Sequence, residues 1–307
     1  MDIRANGRDN FNAEINNSMK IAVFGNIYQT EKSASATALF DALLKHNASL
    51  FIDSEFSAFL KEKRLCPASS AEFYDDLFDA DIAVSIGGDG TFLKTAERVA
   101  GKQIPILGIN AGRLGFLADV SGEDVEAVVD ELFSGEYRTE ERSMLEISSE
   151  NLPDCFMRYA LNEVAVLKQD SSSMITINAW LGGNYLNSYQ ADGLIIATPT
   201  GSTGYSLSVG GPVLIPEASD FVISPVAPHS LNVRPLVLPD SNEITLSVDS
   251  RTGNYLVSLD GRSVVMNSGD KLILRKAPFK TVVVKRNSHN FLDTLRNKLM
   301  WGADKRN

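Results

Sequence analysis

The chain has 307 residues, 44% apolar and 22% charged, with a formal net charge of −10. That length fits two domains of ordinary size, and the balance is that of a water-facing globular protein. The acidity excludes nucleic-acid surfaces, which rest on Lys and Arg neutralising phosphates, and no apolar run approaches the ~18 residues of a membrane span, so neither nucleic acid nor membrane is expected as a partner. An anionic substrate would meet a repulsive average field, so any phosphate site has to be built locally from amides, a few basic side chains and a metal ion.

Residues 1–18 are rich in Asn, Asp and Arg and read as a disordered leader, with Met19 as an alternative start. Residues 20–25 have the pattern of a buried parallel strand ending in glycine. Leu39, Ala42, Leu43 and His46 then repeat at helical spacing, with His46 at the helix end, where the dipole tolerates a cation. Further strands are expected at 49–53, 82–86 and 104–109, with a helix at 91–100. This alternation predicts a doubly wound parallel sheet, an α/β domain over 19–136. Its last helix carries Val125, Val128, Val129 and Leu132 on one stripe after a start at Ser121 and Asp124 that resembles a capping box. Over 137–287 the character changes to short β-branched and aromatic runs separated by turns (144–147, 158–161, 164–167, 175–181, 185–189, 244–248, 255–259, 271–274 and 281–284), which predicts an all-β, sandwich-like domain. Phe291, Leu292, Leu295 and Leu299 predict a C-terminal helix within 288–302 that packs back on the first domain. Cys66 and Cys155 lack metal-ligand spacing and read as reduced thiols of a cytoplasmic protein.

Three motifs carry chemistry. Gly87-Gly88-Asp89-Gly90 falls where a strand ends and a helix begins, the end of a parallel sheet at which ligands bind. Glycines let backbone approach a polyphosphate, and the helix N-terminus adds partial positive charge. A carboxylate at the same place would repel phosphate unless it serves as a base or helps hold magnesium, so Asp89 suggests phosphoryl transfer; the plainer alternative is a helix cap. Lys94, one turn on, can reach a phosphate. Asn162-Glu163 lies between two strand patterns and reads either as a polar pair facing a base and ribose or as a bulge. The run from Asp192 through the apolar 194–197 to Gly211 ends in a turn dense in Gly, Ser and Thr, whose donors need a polar partner.

In this order and at these separations, the three motifs resemble the ATP-NAD kinase family, whose members phosphorylate NAD to NADP; the resemblance extends from Met19 to the C-terminal helix. The Gly-Gly-Asp-Gly motif alone is shared with lipid kinases of the diacylglycerol type and with 6-phosphofructokinases, and the long Gly/Thr/Ser run is the more discriminating. The resemblance implies transfer of the γ-phosphate of ATP to the 2′-hydroxyl of the adenosine ribose of NAD, with Asp89 as general base and Gly87, Gly88 and Gly90 around the phosphates. It implies contacts to NAD from Gly90, Lys94, Asn162, Glu163, Gln190, Asp192, Thr203, Gly204, Tyr205, Ser206, Ser208 and Ala227, with Phe116 near the adenosine. Gln190 stands where relatives often have a basic residue. A divalent metal, Mg²⁺, held mainly by the substrate phosphates, and a homodimer or homotetramer are implied as well. The alternatives are a non-catalytic dinucleotide sensor, which would have no use for Asp89, and a lipid kinase, which would need an apolar or basic face for a bilayer.

Overall fold

The computed structural model describes residues 18–26, 33–112, 115–170 and 173–301. The predicted leader, apart from residue 18, and Arg113 and Leu114 of the turn after Gly112 lie outside these residues. In chain order the first half contains β1 (Lys20–Gly25), α1 (Ser33–Lys45), β2 (Ser49–Asp53), α2 (Ser54–Glu62), β3 (Ala71–Phe73), β4 (Ile82–Gly87), α3 (Asp89–Arg98), β5 (Ile106–Asn110), β6 (Val120–Ser121) and α4 (Val125–Ser134). The second contains β7 (Tyr137–Ser148), β8 (Tyr159–Ala160), β9 (Glu163–Leu167), β10 (Ile175–Leu181), β11 (Asn184–Ala191), β12 (Gly193–Ala197), α5 (Tyr205–Ser208), β13 (Asp220–Val226), β14 (Leu236–Pro239), β15 (Ile244–Asp249), β16 (Asn254–Leu259), β17 (Arg262–Asn267), β18 (Lys271–Arg286) and α6 (Phe291–Leu299).

Among the described residues a twelve-stranded sheet runs β11-β10-β15-β18-β5-β4-β1-β2-β3, with β6 beside β5 and β7 beside β18 and β8. Its β5-to-β3 half is parallel, as expected for the α/β half. β4 is buried at every position, Ser85 among its apolar residues included, which suits a strand covered on both faces. Helices α1, α2 and α4 cover one face, where Leu39, Leu43, Val125, Val129 and Leu132 meet Val23 and Val84; α3 covers the other with Phe92 and Ala96. A second, antiparallel sheet of order β14-β13-β12-β9-β16-β17 packs on the β7-to-β11 half, and Val164, Leu194, Leu246, Tyr255 and Leu272 close the core between the two sheets.

The α/β-plus-β architecture and the returning C-terminal helix are as expected, but the sheet is shared. Strand β18 is sixteen residues long; it pairs with β7 along its length, with a register shift between Lys276 and Lys280, and reaches β5 in parallel at Val283 and Ile106. The runs at 271–274 and 281–284 are therefore one strand rather than two. The capping box at Ser121 also differs: Ser121 Oγ donates to Asp124 Oδ2 (2.9 Å), no side chain caps the short 3₁₀ turn there, and α4 begins at Val125. His46 follows α1, stacks on Phe133 and lies 2.6 Å from Asp130 Oδ1.

Candidate active site

β1 pairs with β2 on one side and with β4 on the other, so the strand order reverses between β1 and β4, the place where open parallel sheets bind ligands. A cavity of about 720 Å³ opens there. Gly25 at the end of β1 with Asn26 after it, Asp53 at the end of β2, and Gly88 and Gly90 at the start of α3 line it, and Asp260 in the turn between β16 and β17 and Arg262 at the start of β17 close it from the second sheet. A Cβ at Gly88 or Gly90 would meet nothing within 4 Å, so the protein's own packing does not require glycine there and the backbone stands open to a ligand. Gly87 differs: a Cβ would run into the Thr91 side chain, so this glycine lets α3 pack on β4. Lys94 is exposed on the first turns of α3 and lines the same cavity.

Asp89 is not a cap for its own helix. Gly88 occupies the N-cap position of α3, with no side-chain cap bond, and Asp89 is the first helical residue. Its carboxylate turns to the loop after β5, where Phe116 N–H donates to Oδ2 (3.0 Å) and Leu117 and Ala118 N–H donate to Oδ1 (3.0 and 3.2 Å). A carboxylate offers about four acceptor positions; among the described residues three are filled, which leaves one on Oδ2. Gly115 makes the approach possible, since a Cβ there would collide with Asp89 Oδ1. The loop is pinned from behind. Asp119 Oδ2 lies 2.5 Å from Lys285 Nζ and 2.7 Å from His289 Nε2, with the Lys285 and Asp119 side chains 1% and 5% exposed. Burial pushes the Asp119 carboxyl up, but the Lys285 charge and the His289 hydrogen bond outweigh it and hold the group below its ordinary range. Lys298 of α6 sits 5.3 Å from the Phe116 ring.

On the second sheet, Ala197 of β12 lies opposite Glu163 of β9, so the Gly/Thr/Ser turn that follows β12 lands on Asn162-Glu163. Thr198 Oγ1 donates to Leu161 O (2.6 Å) and accepts from Gly201 N–H (3.1 Å). A Cβ at Gly201 would overlap the Asn162 carbonyl, and one at Gly204 would lie 2.8 Å from Glu163 Oε2. Asn162 Oδ1 and Glu163 Oε2 are buried without a partner among the described residues. Desolvation first, and the Asp260 charge second, push the Glu163 carboxyl up to about 7, against a hydrogen bond from the Tyr205 backbone. Thr203 Oγ1 donates to Thr200 O (3.1 Å), and Ser208 Oγ donates to Tyr205 O (2.8 Å), while the Tyr205 ring is 38% exposed. Ser206 faces the other way: it is fully buried, with its hydroxyl 2.9 Å from that of Ser224 on β13.

The remaining expected residues gather at the far end of β12, five residues or about 17 Å from Glu163. Asp192 N–H donates to Val226 O (3.0 Å), and His229 N–H donates to Gln190 O (2.8 Å). Asp192 pairs with Lys168 (2.7 Å), and Ala227 adopts a φ of 44°. Asp53, whose carboxylate meets Arg98 at 3.0 Å, and Asp260 join the site without a motif of their own in the sequence. Asp260-Gly261 is readable as a turn dipeptide, but the residues its carboxylate binds lie about a hundred positions earlier.

Two family models match the chain: the ATP-NAD kinase N-terminal domain over residues 21–137 and the ATP-NAD kinase C-terminal domain over residues 161–286. An NAD kinase of Bacteroides fragilis is 54% identical over 289 residues, covering 94% of this chain and 100% of the relative. One from Flavobacterium psychrophilum is 48% identical, covering 94% of this chain and all of its own. Among solved structures, yeast NADH kinase complexed with NADH superposes with a TM-score of 0.81 at 22% identity, over 94% of this chain and 89% of that one. An NAD kinase from Archaeoglobus fulgidus in complex with ATP superposes with a TM-score of 0.72 at 26% identity, over 92% and 99%. The chain belongs to the ATP-NAD kinase family.

Proposed function

We propose that in this NAD kinase Asp89 is the general base, and that the cavity at the switch point receives ATP while Asn162, Glu163 and the Gly204–Tyr205 turn hold NAD. The reaction forms a bond between the 2′-oxygen of the adenosine ribose and the γ-phosphorus of ATP, breaks the bond to the β-bridging oxygen, and releases ADP and NADP. The hydroxyl proton goes to Asp89. The observation that carries this reading is the one acceptor position left on Asp89 Oδ2, on a carboxylate whose orientation three amides fix beside the open backbone of Gly88 and Gly90. The partial positive charge at the start of α3, with Lys94 one turn in, suits the donor phosphates.

Three of the carboxylates around the cavity are already engaged, Asp53 with Arg98, Glu97 with Arg262 and Asp260 with three amides, and the fourth, Glu55, is exposed at its rim. That donor set fits Mg²⁺ held chiefly by the donor's phosphates and water, as is common for this ion; when bound, it would neutralise charge on the transferring group. Gln190, Asp192 and Ala227 gather beyond the end of β12 that lies away from Glu163, and they suit the nicotinamide half of an extended dinucleotide. A homodimer or homotetramer completing that end of the site is part of this proposal. The unjoined thiols of Cys66 and Cys155 suit a cytoplasmic setting.

Asp89→Asn tests the base. Turnover with saturating NAD and ATP is expected to fall on the order of 10²–10⁴-fold, with the melt lowered only by the one or two amide hydrogen bonds that the new NH2 cannot accept, and near-normal turnover in a folded variant would remove Asp89 from that role.

A further inference from the structure

Asp260 has no task in the reaction just described, yet it stands between the two halves of the site. It occupies the turn between β16 and β17 at a φ of 47°, a backbone region that aspartate enters more readily than most residues, and it lines the cavity with Gly88 and Gly90. Its carboxylate accepts N–H from Leu161 at 2.7 Å, from Asn162 at 2.9 Å and from Glu163 at 3.0 Å. Those three amides fix the peptide planes from which the Asn162 and Glu163 side chains project, and each of these two side chains ends in a buried oxygen with no partner among the described residues.

We propose that Asp260 is a positioning residue for the acceptor substrate: by gripping three consecutive amides it holds Asn162 and Glu163 in register against the Gly204–Tyr205 turn, so that their two unpartnered oxygens meet the bound dinucleotide. This rests on the reading that Asn162 and Glu163 contact NAD. The groups facing the Glu163 carboxyl are few. Asp260 approaches from the β16–β17 turn and the Tyr205 N–H from α5, while Arg262, on β17, acts on Asp260 and is itself committed to Glu97 Oε1 (2.7 Å) and Tyr159 O (2.9 Å). The Asp260 charge opposes ionisation of Glu163. The grip therefore has an electrostatic signature that a purely structural turn would lack.

The test is steady-state kinetics of the full chain between pH 5.5 and 8.5, varying NAD and ATP separately, for Asp260→Asn, Asp260→Glu and Glu163→Gln. In the unmodified enzyme kcat/KM for NAD should rise as Glu163 ionises near pH 7 and its carboxylate accepts from ribose hydroxyls. Asp260→Asn should raise the KM for NAD by about tenfold, the loss of one to two amide hydrogen bonds, and leave the KM for ATP within about threefold. It should also move the inflexion to lower pH by on the order of one unit, because the opposing charge is gone. Asp260→Glu keeps the charge and shifts the grip, so it should raise the KM for NAD without moving the inflexion; this variant decides the matter if Asp260→Asn does not fold. Equal increases in both KM values, or an unchanged KM for NAD in whichever variant folds, would overturn the proposal, as would an unmoved inflexion in Asp260→Asn. Glu163→Gln separates the two levels of the argument: if it leaves the KM for NAD and the inflexion untouched, the assignment of Glu163 to NAD fails first.

Discussion

Asp89 and Asp260 are held alike: each carboxylate accepts the N–H groups of three consecutive residues of another segment, 116–118 in one case and 161–163 in the other. Their surroundings differ. The segment that grips Asp89 is fastened by the buried contact of Asp119 with Lys285 and His289, whereas the turn bearing Asp260 is fastened by Arg262 to Glu97, both about a quarter exposed. Desolvation pushes the Asp260 carboxyl up against the pull of its amides and Arg262, and a second carboxyl, that of Glu163, lies beside it. Three amides can aim a carboxylate, and the charges and solvent around it decide whether it suits proton transfer or alignment.

The contrast can be broken first at its anchors. Lys285→Met leaves the buried Asp119 charge to His289 alone, and since removing one partner of a buried pair costs about 3–5 kcal/mol when nothing replaces it, urea melts at neutral pH should register a loss up to that size. With Asp119 held below its ordinary range, the contribution of the pair is present above the unfolded carboxylate pKa and is lost as pH falls through the lower folded value, so the difference between the two proteins should shrink in acid. Gly115→Ala acts on the same grip from the other side. Its Cβ displaces Asp89, and turnover should drop roughly 10²-fold, the scale of an ångström-sized misplacement, with the KM for NAD little changed.

Glu163→Gln sharpens the other half. Because burial raises the Glu163 carboxyl to about 7 in the folded chain, its native form gains stability from staying protonated, and that gain declines as pH rises from the unfolded value near 4.5 through 7. Without ligand, Glu163→Gln should match the parent in thermal melts near pH 5 and exceed it at pH 8 by on the order of 1–3 kcal/mol; equal melts at pH 8 would count against an ionised, buried Glu163. Arg262→Met should have the smallest effect, at most ~1 kcal/mol, since its ion pair with Glu97 is partly solvated.

The legible parts of the molecule are those whose signal is local. The strand at 175–181 and the start of β1 follow from runs of apolar or alternating residues, and the Gly-Gly-Asp-Gly turn and the Gly/Thr/Ser turn are contiguous motifs. Strand β13 was missed because Pro225 interrupts it, a residue tolerated where pairing with β14 has already stopped at Ile223. β17 alternates with a charged start, and α2 is only nine residues long with Phe56 and Leu60 as its apolar anchors, so neither stood out. β18 read as two strands because Pro278 and the register shift interrupt it. At the site, the turn at Asp260-Gly261 could be seen, but its hold on residues 97–99 positions earlier could not, and Lys285 meets Asp119 across 166 positions. Close approach in space at such separations leaves no periodic trace in a single sequence.

One consequence follows from the length of β18. Val283 closes the flank of the nucleotide half against Ile106, 177 residues upstream, so during synthesis the edge of β5 at Ile106, beyond the short reach of β6, waits uncovered until β18 has left the ribosome. A fragment ending near residue 137 should therefore associate with itself or with chaperones rather than stand alone, and the kinase should assemble late and all at once.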